Sequence, residues 1–120
     1  MAATPPIEAY EELDSTNAEA RRRGEAGEGG PVWITAAVQT AGRGRLGRAW
    51  GDGQGNFMGS TVVHLSSGDP SPATLALVAG VALAKAVAAL APGVAATLKW
   101  PNDLLVDGAK CAGILLERSG

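Results

Sequence analysis

Three arginines sit close together in a glycine-dense stretch, Gly42-Arg43-Gly44-Arg45-Leu46-Gly47-Arg48. Between Pro31 and Gly51 there is no carboxylate, so Arg43, Arg45 and Arg48 present positive charge with no local counter-ion. Guanidinium forks grip carboxylate or phosphate oxygens through paired hydrogen bonds, and glycines let the main chain approach a ligand closely. The chemistry implied is the holding of an anion by a loop that closes and excludes water around it. Trp50, just beyond, can stack on a flat base; its competing role is that of a core tryptophan.

The same stretch spells G-x-G-x-x-G, the pattern of a dinucleotide-binding turn. That turn works only where a helix starts and aims its N-terminus at the pyrophosphate. Here Trp50-Gly51-Asp52-Gly53-Gln54-Gly55 follows, which does not propagate a helix, and that assignment is set aside. A phosphate loop of the Gly-Lys-Ser/Thr type is absent from the sequence. A basic arm in the minor groove of DNA is the binding-module alternative. Against it stand a net charge of -2, a pI near 5.3 and no second basic patch.

A second cluster, Lys99-Trp100-Pro101-Asn102-Asp103, ends one expected strand and turns into the next. Strand alternation puts Lys99 on a polar face and Trp100 in the core; Asn102 and Asp103 are turn formers when nothing else employs them. Lys110 heads an otherwise apolar row with Ala112, Ile114 and Leu116, and is either an exposed strand end or a ligand group. His64 stands apart from any cysteine or carboxylate at ligand spacing, so no metal site is expected.

The elements that must carry these residues follow from period and punctuation. Strands are expected at 7–13, 32–39, 57–65, 94–100, 104–106 and 109–116, with Asp107-Gly108 as a two-residue hairpin turn. A polar helix is expected at 17–26, capped from Asp14-Ser15-Thr16 and ended by Gly24 or Gly27, its arginine run 21–23 forming a solvated face. Ser71-Pro72 caps and opens an alanine-rich helix over 73–91, closed by Pro92-Gly93. That helix has one charge, Lys85, near its middle, and alanine gains little from lipid. It reads as a helix buried around most of its circumference and not as a membrane span. The order points to α+β, with a mixed and largely antiparallel sheet and flanking helices. Residues 1–120 suit a single domain; 46% hydrophobic and 18% charged residues exclude wholesale disorder. Cys111 is the sole cysteine and the start lacks a signal-peptide pattern, which fits a cytoplasmic protein.

Taken together, the motifs resemble biotin protein ligases. They are Ser15-Thr16-Asn17, then Gln39-Thr40-Ala41-Gly42-Arg43-Gly44-Arg45 with Gly47-Arg48 and Trp50, then Gly55-Asn56-Phe57. Lys99-Trp100-Pro101-Asn102-Asp103-Leu104 follows, and then Lys110 with Ala112-Gly113-Ile114-Leu115 and Glu117. They occur in the family's order and span nearly the whole chain; Leu46 departs from an arginine common in some members. The resemblance implies part of a class II synthetase-like catalytic domain, with neither an N-terminal winged helix nor the C-terminal barrel domain. The short lead before the first strand leaves no room for the winged helix of repressor-type members, so no transcriptional role and no DNA or membrane partner are expected. The partners implied are biotin, ATP with Mg²⁺, and a biotin carboxyl carrier protein. Biotin is first activated to biotinyl-AMP and then passed to a carrier lysine. Carried over by position, Ser15, Thr16, Asn17 and Gln39 contact biotin. Arg43, Gly44 and Arg45 close over the adenylate, and Lys110 sits near its carboxylate or phosphate. Arg43, Arg45 and Lys110 are the catalytic set. Trp50 stacks on adenine, and Lys99, Asn102 and Asp103 lie on the nucleotide side. The alternatives are a lipoate-type acyl ligase or transferase of the same fold, and an inactive fragment that binds biotin weakly.

Overall fold

The computed structural model describes residues 4–28, 31–44 and 55–118. The elements run β1 (Ile7–Leu13), α1 (Thr16–Glu25), β2 (Trp33–Gln39), β3 (Gly59–Thr61), α2 (Thr74–Leu90), β4 (Ala96–Lys99), β5 (Asp103–Val106) and β6 (Ala109–Gly113). The fold is α+β, as the alternation of strand and helix signals requires. The strands form two three-stranded sheets, ordered β1-β2-β3 and β4-β5-β6. Three of the four ladders are antiparallel; β1 and β2 run parallel, joined through α1. The chain divides into two compact units. One holds the residues up to His64 together with Glu117 and Arg118, and the other is Leu65–Leu116.

In the first unit β2 is the central strand. Ile34 and Ala36 alternate along it as buried residues, Ile34 fully, and the Ala36 N–H donates to the Met58 carbonyl. Helix α1 lies against β2 and β3 and buries Thr16 and Ala20. It ends where expected: Gly27 takes a positive φ of 78°, a conformation that glycine adopts without strain. The third strand is shorter than the pattern over 57–65 suggests. Its register partners are Trp33, Ile34 and Thr35 alone, and β character stops where the ladder stops.

In the second unit Asp107 and Gly108 both have positive φ, 51° and 81°, the geometry of a tight two-residue hairpin. The register between β5 and β6 slips by one residue at Leu104/Leu105, so that Cys111 bulges from β6. Leu104 is the buried centre of this sheet. Gly80 lets α2 lie close to β4: a methyl group there would stand 3.3 Å from Leu98 Cδ2.

Three expectations are corrected here. Trp100 is 75% exposed and not in the core, because β4 stops at Lys99 and Trp100 enters a turn closed by the cis Trp100–Pro101 bond, where strand parity no longer applies. Ser71-Pro72 opens α2 through main-chain carbonyls, which accept from Thr74 and Leu75 at 2.9 and 3.0 Å, and not through a side-chain cap. Helix α2 buries only Gly80 and leaves Leu77, Val78, Val81 and Leu90 exposed. Among the described residues no helix is long and apolar enough to cross a membrane.

Candidate functional site

The start of α1 is built first. Ser15 has extended backbone angles, and its Oγ accepts from the Ala18 N–H at 2.9 Å, satisfying one orphan donor of the helix. Asp14 Oδ1 accepts from the Ser15 N–H at 2.8 Å, and the Arg22 guanidinium forks onto both Asp14 oxygens at 2.9 and 3.0 Å. The Arg22 bonds, then the Ser15 amide, hold the Asp14 carboxyl well below the usual carboxylate range. Arg23, then Arg22, likewise lowers Glu19. The arginine run is therefore not a plain solvated face: Arg23 alone pairs with Glu8, Glu19 and Glu28 and is largely covered.

This braced turn presents a polar chain. Thr16 donates its main-chain N–H to Gln39 Oε1 at 2.7 Å, from the last residue of β2. Its hydroxyl lies 2.8 Å from Ser60 Oγ and 3.1 Å from Gln39 Oε1. Ser60 Oγ in turn makes a short hydrogen bond to Asn17 Oδ1. The Thr16 hydroxyl donates to Gln39 Oε1, and either hydroxyl can be the donor between Thr16 and Ser60. The Asn17 amide is oriented by its other end, where Nδ2 donates to Glu117 Oε1 at 3.1 Å. Arg43 Nη2 closes the chain on both Glu117 oxygens, at 3.1 and 3.0 Å. Thr16 and Ser60 are buried, whereas Arg43 is 44% exposed. One wall thus carries neutral donors and acceptors at one end and a guanidinium at the other.

Of the residues singled out by sequence, Ser15, Thr16, Asn17, Gln39 and Arg43 fall in this one unit. Thr16, Asn17, Gln39 and Arg43 belong to the bonded chain, and Ser15 caps the helix that carries it. Gly44 follows Arg43 and is half-buried. Arg45 and Trp50 lie outside the described residues. Ser60 was not legible as a site residue, though a signal exists: on the face where Met58 and Ser60 are buried together, a hydroxyl replaces an apolar side chain. Glu117 belongs to the motif of the resemblance but has no role there, and nothing local in sequence ties it to Asn17 or Arg43.

The second unit holds Lys99, Asn102, Asp103 and Lys110. Lys99 is paired in register with Asp103. Asp103 Oδ1 lies 3.2 Å from Lys110 Nζ. Asn102 Nδ2 donates to the Ile114 carbonyl at 2.9 Å, and the Ile114 N–H returns to the Asn102 carbonyl at 2.9 Å, so this asparagine fastens the chain leaving β6. Lys99, Asn102 and Asp103 also line a cavity of about 180 Å³ floored by Gly80 and Leu98. Among the described residues no group of three His, Cys, Asp or Glu side chains is placed to hold a metal ion.

The chain belongs to the biotin/lipoate A/B protein ligase family, whose model matches residues 10–120. Its relatives narrow the class further. It is 47% identical over 108 residues to the biotin–[acetyl-CoA-carboxylase] ligase of Paracoccus denitrificans, covering 89% of this chain and 45% of the relative. The biotin protein ligase of Leishmania major, solved in complex with biotinyl-5-AMP, matches with a TM-score of 0.81 at 30% identity, over 98% of this chain and 54% of that one. The Aquifex aeolicus biotin protein ligase, solved with biotin and ATP, matches at 0.82 and 31% identity, over 95% and 47%. The chain therefore spans about half the length of each of these three relatives.

Proposed function

We propose that this chain forms the biotin- and adenylate-holding part of a cytoplasmic, ATP-dependent biotin protein ligase. The observation that carries this reading is the bonded wall from Gln39 through Thr16, Ser60 and Asn17 to Glu117 and Arg43. Biotin has a neutral ureido ring, with N–H donors and a carbonyl acceptor, at one end and a carboxylate at the other. The hydroxyl and amide groups suit the first and the guanidinium suits the second. Ser15, Thr16, Asn17 and Gln39 contact biotin. Arg43, Gly44 and Arg45 close over the acyl adenylate, Lys110 supplies a further cation, and Trp50 stacks on adenine. Lys99 and Asp103 face the nucleotide, and Asn102 holds their turn in shape.

In the first step a biotin carboxylate oxygen attacks the α-phosphorus of ATP and pyrophosphate leaves. In the second, the amine of a carrier-protein lysine attacks the acyl carbon, loses a proton, and AMP leaves. Both substrates of the first step are anions, and charge builds further at phosphorus in the transition state. Cations already in place lower that barrier most. Mg²⁺ would arrive with ATP and supply counter-charge to its phosphates; among the described residues no group of three His, Cys, Asp or Glu side chains is placed to hold it.

The test uses the protein at its full encoded length with ATP and Mg²⁺, offering biotin or lipoate. Pyrophosphate release with biotin, followed by labelling of a carrier domain, supports the reading. Release with lipoate alone, or with neither, overturns it.

A further inference from the structure

The Glu117 carboxylate is shared by two residues far from it and from each other in sequence. Its Oε1 accepts from Asn17 Nδ2 at 3.1 Å, and both its oxygens accept from Arg43 Nη2 at 3.1 and 3.0 Å. We propose that Glu117 is a positioning residue, which orients the Asn17 amide and holds Arg43 ready for the ligand's anionic end. The inference rests on the biotin-ligase reading above and adds a residue to it.

The Asn17 side chain can be turned either way, and only one way gives the Glu117 carboxylate a donor. With Nδ2 on the Glu117 carboxylate, Oδ1 must face Ser60, whose proton it takes. Ser60 in turn contacts Thr16, whose hydroxyl and main-chain N–H both donate to Gln39 Oε1. One carboxylate at the edge of the site thus decides which end of the Asn17 amide donates and which accepts.

Arg43 needs an anchor for a different reason. It lies between Gly42 and Gly44, where the main chain has the greatest freedom to lose on ordering. Among the described contacts of Arg43 only Nη2 is engaged, by both Glu117 oxygens. A cation held by one edge meets its ligand at a smaller entropic cost than one that is loose. The carboxylate also weakens the attraction of Arg43 for an anion, so anchoring and charge act in opposite directions. The double hold on Asn17 and Arg43 puts the balance on the side of anchoring.

A double-mutant cycle on biotin binding, measured by calorimetry on the protein at its full encoded length, tests this. Glu117→Ala is expected to raise Kd for biotin about tenfold, the size of one charge-assisted hydrogen bond. Glu117→Gln, which keeps an acceptor for Asn17, raises it less, by about threefold. In an Arg43→Ala background the effect of Glu117→Ala should shrink to about twofold or less, which a merely structural role would not produce. Equal effects in both backgrounds, or biotin binding as tight as or tighter than wild type in the Glu117 variants, overturn the proposal. Should Glu117→Ala unfold, Glu117→Gln alone decides by the same two criteria. A wild-type protein that binds no biotin defeats the function reading, and this inference with it; a binding wild type with additive variants defeats this inference only.

Discussion

The hydroxyls of Thr16 and Ser60, 44 residues apart in sequence, lie 2.8 Å from each other in the interior of the first unit. One belongs to the first residue of α1 and the other to the middle of β3, so this contact joins the helix to the sheet through polar atoms. Thr16 is also tied to Gln39 at the end of β2, which puts all three elements on one set of hydrogen bonds. A wall made this way is tied to three elements at once, which is the rigidity that orienting a substrate would require.

Ser60→Ala tests that wall. It removes a buried hydroxyl that contacts Thr16 Oγ1 and donates to Asn17 Oδ1. Folding stability should fall by about 1–3 kcal/mol, read from chemical denaturation. Biotin affinity should fall as well, since Asn17 then lacks the group that holds its carbonyl end. Wild-type stability in Ser60→Ala would show that the chain of hydroxyls is not a buried structural network.

Ile34→Ala addresses the core that the wall stands on. Ile34 is fully buried on the central strand and is the largest such side chain in the first unit. The loss should be about 2–5 kcal/mol, the range for emptying an aliphatic core position. The same change at Val38, which is exposed on the same strand, should cost far less. Circular dichroism during denaturation compares the two directly.

Much of this was legible because it is local. Ser15 caps α1 and the Asp107-Gly108 turn has its two positive φ angles because those residue types offer the backbone few better choices. The limits of β3, the exposure of Trp100 and the one-residue slip at Cys111 depend on which partner strand lies alongside, which no short window contains. The same holds for the site. Thr16, Asn17, Gln39 and Arg43 could be singled out by motif. Ser60 and Glu117 are distant in sequence, and only folding brings them to Asn17.

Acid should loosen the start of α1. The Asp14 carboxyl is held below its ordinary range by Arg22 and by the Ser15 amide, and Glu19 is lowered by Arg23 and Arg22. A carboxyl lowered in the folded state contributes stability that is fully present above its unfolded value, about 4. That contribution is lost as pH falls through the folded value. Melting temperature should therefore be steady near neutrality and drop below about pH 4. Asp14→Asn should lower it at neutral pH and flatten the acid limb. Because Asp14 and Arg22 are both near half exposed, added salt should shrink the difference.

Lys110 separates stability from chemistry. Its Nζ lies 3.2 Å from Asp103 Oδ1, and its side chain is 42% exposed. An ion pair this open contributes about 0–1 kcal/mol, so Lys110→Gln should melt close to wild type. If Lys110 meets the anion formed on activation, the same variant loses a preorganised cation at the moment charge builds. Adenylate formation by the protein at its full encoded length should then slow by about 10²–10³-fold, the usual consequence of removing one such donor. Asp103→Asn leaves the lysine in place without its carboxylate partner and should slow the step much less. A Lys110→Gln protein that folds normally and forms the adenylate at the wild-type rate removes Lys110 from the catalytic set.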